Sequence, residues 1–284
     1  MKKYIVALLP LFLAFSCSND TSQNSNTDST NGDTVKEVIE TSESSSTLPS
    51  PFRIAAMFKR SGLKYIPGLT NGNEKEASYS TSFACAENMG VYSSDMAYCV
   101  LNKQTNEGQQ LLKTIRTIGG RINLGKVFEK SNLFDRFNKN VNNEDSLATI
   151  IGEIQYETDM QLDANQQNEL YGVIFAGAWV ESMYLGGQVY RKGGNEKIVQ
   201  ALLEQMAVST NIIEELKINE SKNESITGLI ADMQIIQDAI NSMPSLKKLK
   251  DNPELDFKDI SPTKAEIESV ITTIEILRKK ITNG

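Results

Sequence analysis

The sequence predicts an all-α fold, a multi-helix bundle or a stack of helical hairpins with about 8–9 helices. Three observations carry this. After residue 50, apolar residues recur every three or four positions, the spacing of one helix face. No stretch sustains the two-residue alternation of a half-buried strand. Helix-starting Asn, Ser and Pro precede the apolar runs, and paired glycines follow several of them.

The elements follow in order. Phe52, Ala55, Ala56, Phe58 and Leu63 mark a short helix, with Pro51 in its first turn, where a missing N–H costs nothing. Pro67-Gly68 and Asn71-Gly72 mark a turn-rich loop. A long helical segment from Glu76 to Leu101 comes next, then a third helix from Glu107 to Ile118 that stops at Gly119-Gly120. Leu124 to Asn138 forms a fourth. Asn142-Asn143-Glu144-Asp145 starts a fifth, carrying Leu147, Ile150, Ile151, Ile154 and Met160. The sixth, Gln166 to Tyr190, is apolar nearly all round, which places it at the centre, and Gly193-Gly194 ends it. Helices from Glu196 to Leu216 and from Glu224 to Met243 come next. Pro253 and Pro262 punctuate a loop, with Ser261 as N-cap and Pro262 as the first residue of the last helix. That helix, Thr263 to Ile281, carries Ile267, Val270, Ile271, Ile274 and Leu277 on one stripe. Arg278, Lys279 and Lys280 sit near its C-terminus, where cations suit the helix dipole.

The N-terminus has another logic. Lys2 and Lys3 precede an apolar run from Tyr4 to Phe15, and Ala14-Phe15-Ser16-Cys17 closes it. The run is about a dozen residues, too short for a hydrocarbon core that needs ~20. This start resembles the signal peptides of bacterial lipoproteins, which implies that Cys17 is acylated and becomes the mature N-terminus. Residues 18–50 are rich in Ser, Thr, Asn and Asp and lack aromatics, the composition of a disordered polar tether. As a coil such a stretch reaches about 30 Å. Residues 51–284 are then a single helical domain.

Charge and composition narrow the function. Removing Lys2 and Lys3 with the leader leaves 27 basic against 36 acidic side chains, a net −9. Asp20, Asp28, Asp33, Glu37, Glu40 and Glu43 against Lys36 give the tether −5 of that. An acidic domain on an acidic tether excludes nucleic acid as a partner and leaves membrane attachment to the lipid. The chain has no histidine, which removes Ser-His-Asp and Cys-His catalysis, His-ligated haem and nearly all catalytic zinc sites. No cofactor or metal is expected. Beyond Cys17 only Cys85 and Cys99 remain. Fourteen residues apart on one helix, they are ~21 Å apart, too far for a disulfide, and are expected as buried free thiols.

Two apolar segments each hold a lone acid. Met89 to Leu101 contains Asp95, with Tyr92 and Tyr98 three residues to either side. Leu170 to Tyr190 contains Glu181, with Trp179 beside it and Tyr184 three residues on. A carboxyl on an apolar helix must pair, hydrogen-bond or raise its pKa. Tyr92, Asp95, Tyr98, Trp179, Glu181 and Tyr184 are therefore the candidate ligand pocket. The competing expectation is that the acids are satisfied in the core by Tyr, Ser or an Arg such as Arg116. Glu153 and Glu157, four apart, could share a face with a metal or sugar, or simply be solvated.

Gly90-Val91-Tyr92-x-x-Asp95-x-x-Tyr98 and Gly177-Ala178-Trp179-Val180-Glu181-x-x-Tyr184-Leu185 resemble a pattern in uncharacterised helical envelope lipoproteins of Bacteroidetes-type bacteria, as does the Ser- and acid-rich stretch after Cys17. The resemblance spans residues 75–190 and implies an envelope-anchored helical protein, with the outer membrane as its expected location, but no particular chemistry. It also implies O-glycosylation at Asp-Ser/Thr followed by an apolar residue or Thr. Asp28-Ser29-Thr30 and Asp33-Thr34-Val35 match, making Ser29 and Thr34 candidates, and Asp145-Ser146-Leu147 matches but is better explained as a helix start. The expected function is a non-enzymatic module that binds an envelope protein or a small ligand. The alternative is a glycan-cleaving hydrolase that uses Asp95 and Glu181, which requires both carboxyls in one solvent-connected cleft.

Overall fold

The structure, a computed structural model, describes residues 48–284 apart from 142, 253 and 256. The leader, Cys17, Ser29, Thr34 and nearly all of the tether lie outside the described residues. The described residues form an all-α helical bundle: α1 (Pro51–Arg60), α2 (Ser82–Leu101), α3 (Thr105–Arg121), α4 (Gly125–Glu129), α5 (Leu133–Lys139), α6 (Glu144–Ala164), α7 (Glu169–Arg191), α8 (Glu196–Ile218), α9 (Glu224–Asn241), α10 (Pro244–Asp251) and α11 (Lys264–Asn283).

At the centre, α2 and α7 form the most extensive helix contact in the molecule. Both are buried over nearly their whole length and circumference, so each needs neighbours on every side. Accordingly α1, α3 and α7 surround α2, while α1, α8 and α11 pack on α7. The approach of the central pair is set by glycine. A Cβ on Gly90 would lie 1.9 Å from the Ile174 carbonyl oxygen, and one on Gly177 would lie 2.1 Å from that of Glu87. The two backbones touch because neither position carries a side chain. Ser94 Oγ reinforces the contact, donating to Ala178 O at 2.7 Å and lying 3.0 Å from Ser182 Oγ.

Several boundaries differ from the sequence expectation. The segment expected to be helical from Glu76 breaks at Tyr79–Thr81, where Thr81 Oγ1 caps α2 by accepting from Ala84 N–H. The third helix runs through Gly119-Gly120 to Arg121, and Gly119 lets the Phe128 ring pack close, 3.3 Å from where a Cβ would sit. The fourth splits at Asn132, whose φ of 52° is left-handed. The eighth ends at Asn241, and Pro244 opens the separate α10. Met160 is exposed rather than part of the core stripe.

The last helix is capped by Thr263, not Ser261. Thr263 Oγ1 accepts from Glu266 N–H, and Glu266 returns a bond to Thr263 N–H. Burial opposes the Glu266 charge, but N–H donors from Ser245 and Thr263 hold its carboxyl down to about 2. The fold also begins earlier than residue 51. Leu48 is buried, and Ser50 caps α1 by accepting from Arg53 N–H.

Candidate functional site

The polar residues of α2 are spaced to meet the loop between α1 and α2. Tyr92, Asp95 and Tyr98 recur every three residues and so share one side of the helix. Tyr92 donates to Gly72 O at 2.7 Å. Asp95 Oδ2 accepts from Asn71 N–H at 2.9 Å. Tyr98 accepts from Ile66 N–H at 2.6 Å and donates to Lys64 O at 3.1 Å, with Tyr65 stacked on its ring. The loop carries backbone groups that no helix or strand satisfies, and these three side chains satisfy them. Tyr79 closes the same loop onto α11, donating to Thr282 O and accepting from Asn71 Nδ2.

Asp95 and Glu181 do come together. They belong to one buried polar cluster in which Arg278 of α11 binds Glu181 as a fork, Nε to Oε2 at 2.7 Å and Nη2 to Oε1 at 2.9 Å. The guanidinium also lies over the Tyr184 ring, 4.0 Å from its centroid. Burial opposes the Arg278 charge, but Glu181 outweighs it and holds the guanidinium above its ordinary pKa. Burial first, and then Glu181, push the Asp95 carboxyl well above the usual carboxylate range. Asp95 Oδ1 has no hydrogen-bond partner among the described residues, and a neutral Asp95 carboxyl relieves both its burial and its repulsion with Glu181.

Folding raises the Asp95 pKa, so its contribution to stability is full below the ordinary value of 3.8 and is lost as pH rises above it. Asp95→Asn keeps an oxygen to accept from Asn71 N–H and carries no charge. It should therefore be more stable than the wild type at pH 7, and the gap should close towards pH 4 at up to about 1.4 kcal/mol per pH unit. Denaturant melts of both chains across that range check this. A gap that widens on acidification would contradict a protonated Asp95.

Both carboxyls are 0% exposed, so neither is reached from solvent in this geometry, and the pair lacks the access that glycan cleavage requires. Trp179 is equally buried and donates to Gln205 O of α8 at 3.1 Å. Of the six residues expected as a pocket, only Tyr184 is partly exposed. Arg116 is elsewhere, over Phe134. Glu153 is forked by Arg136 at 2.5 and 2.8 Å, and Glu157 is bound by Lys130 at 2.6 Å, so each acid has its own cation rather than a shared face. Cys85 and Cys99 are buried and unbridged, and burial raises both thiols above their ordinary pKa.

An apolar cavity lies on the other side of α2, in a cleft between α2, α3, α6 and α7 with Pro51 at its edge. Its volume is about 70 Å³, and its walls are mainly Met89, Met96, Leu112, Ile115, Ile154, Ile174 and Phe175. A single water needs only about 10–15 Å³. Ser93, Gln155, Thr158, Asp159 and the Tyr171 phenol supply its polar points. Ser93 and Thr158 are bonded to carbonyls one turn back in their own helices. Asp159 is different. Burial alone pushes its carboxyl up to about 7, with no charged group acting on it among the described residues. Few convergent polar groups in an apolar cleft, one of them a perturbed acid, is the usual composition of a small-molecule site.

Comparison with protein families, characterised proteins and solved structures found no match for this chain.

Proposed function

We propose that the chain is a lipid-anchored, non-catalytic binding module of a bacterial cell envelope, held at the outer membrane through acylated Cys17 and presenting its helical domain beyond an acidic tether. The observation that carries the binding role is the cleft beside α2, with its apolar walls and a single carboxyl on which no cation acts among the described residues. The sealed Asp95–Glu181–Arg278 cluster complements it by fixing α2, α7 and α11, the frame on which the cleft is built. No helix among the described residues is long and apolar enough to cross a membrane, so a covalent lipid is the attachment the sequence offers. A protein of this kind works by occupancy: ligand in the cleft, scaffold unchanged.

The anchoring half is tested by metabolic labelling with a fatty-acid analogue. The wild type should incorporate label and sediment with membranes, and Cys17→Ala should lose the label and either leave the membrane fraction or persist as a precursor. An unlabelled wild type overturns the anchor.

A further inference from the structure

We infer that the cleft between α2, α3, α6 and α7 takes a linear aliphatic amine, its hydrocarbon chain lying along the apolar walls and its ammonium head against the Asp159 carboxyl. This rests on the binding role proposed above and names its ligand class.

Size argues for a slender chain. The cavity measures about 70 Å³, so it takes a short tail and no bulky group, and its walls are aliphatic, thioether and aromatic side chains, Phe175 and Tyr171 among them. Met89 and Met96 line it from α2, and their unbranched side chains can shift to follow a flexible tail.

Charge argues for the ammonium. Neither Lys nor Arg lines the cleft, and among the described residues no cation acts on Asp159. A tail entering the cleft strips more water from that carboxyl, which is costly unless an opposite charge or a donor takes the water's place. An ammonium head does both, with three N–H donors and a positive charge. Gln155, one turn before Asp159 on α6, lines the same cleft and offers its amide oxygen as a further acceptor. A carboxylate head would bring a second negative charge to an uncompensated first, and a hydroxyl head would leave the charge uncancelled.

The test uses three probes with one short tail: n-butylammonium, n-butanol and n-butanoate, titrated into the full chain by calorimetry. The ammonium should bind roughly tenfold tighter than the alcohol, the worth of one charge-assisted contact, with the carboxylate weakest. Asp159→Asn should reduce n-butylammonium to the affinity of the alcohol and leave the alcohol as tight or tighter. Gln155→Phe, which puts a ring at a partly exposed position of the cleft wall, should weaken all three while the protein melts as before. Equal binding of the three probes, or n-butylammonium affinity unmoved in Asp159→Asn, overturns the amine assignment but leaves an apolar binding cleft. Binding of none of them overturns the binding role itself.

Discussion

Gly177→Ala should prevent the protein from reaching its native packing, or cost roughly 3 kcal/mol or more if it still folds. The added methyl would sit 2.1 Å from a backbone carbonyl oxygen, and a backbone atom cannot rotate away as the end of a side chain can. To make room, α2 and α7 must separate, and the contacts along both helices loosen together. Gly90→Ala should behave alike, since its methyl would lie 1.9 Å from Ile174 O. Two other helical glycines provide the control. A Cβ at Gly152 or Gly228 meets nothing within 4 Å, so Ala there should stabilise by about 0.4–1 kcal/mol through the unfolded chain. Denaturant unfolding of the four variants separates the cases. Similar melting of all four would mean that α2 and α7 do not touch.

Glu181→Ala should cost about 3–5 kcal/mol, the usual penalty for leaving a buried charge without its partner. Arg278 would keep its guanidinium between α7 and α11 without the carboxylate it forks. Arg278→Met is expected to be comparably harmful, because Glu181 is then the stranded charge. Combining Glu181→Leu with Arg278→Met removes both charges and should cost much less than the sum of the single changes. A double-mutant cycle by denaturant unfolding reads that coupling directly. Additive losses would mean that the pair contributes nothing beyond its two side chains.

The fold was legible wherever a single helix face decided it. The apolar circumference of residues 170–190 identified the central helix, and the stripe from Ile267 to Leu277 is buried throughout. Helix ends were harder, because they depended on tertiary neighbours. Gly119-Gly120 reads as a stop, yet α3 continues through it to Arg121, with the Phe128 ring packed 3.3 Å from where a Gly119 Cβ would sit. Asp95 and Glu181 stood out as lone acids, and they do share a cluster. Their cation could also have been found. Arg278 falls four residues after Ile274 and seven after Ile271, inside the apolar stripe, whereas its position near the helix end suggested only a dipole contact.

Asn71 gave no such signal, since its backbone N–H reaches Asp95 across 24 residues of loop and helix. Glu87, pushed up to about 8 by burial, was hidden at the start of α2, where acids are ordinarily solvated. Asp159 was masked by its surroundings in sequence. It lies between Glu157 and Asp163 on a helix with many acids, and only the packing of α6 against the rest shows that its own side is apolar.

The most direct test separates the two groups of acids in a single spectrum. Carboxyl carbon NMR of the full chain, recorded with and without saturating n-butylammonium, reports Asp159, Asp95 and Glu181 side by side. The Asp159 signal should move on binding while those of Asp95 and Glu181 stay in place, with Asp95 at the position of a protonated acid. Movement of Asp95 or Glu181 with Asp159 unchanged would put the ligand in the central cluster and contradict the assignment of structure to one site and binding to the other.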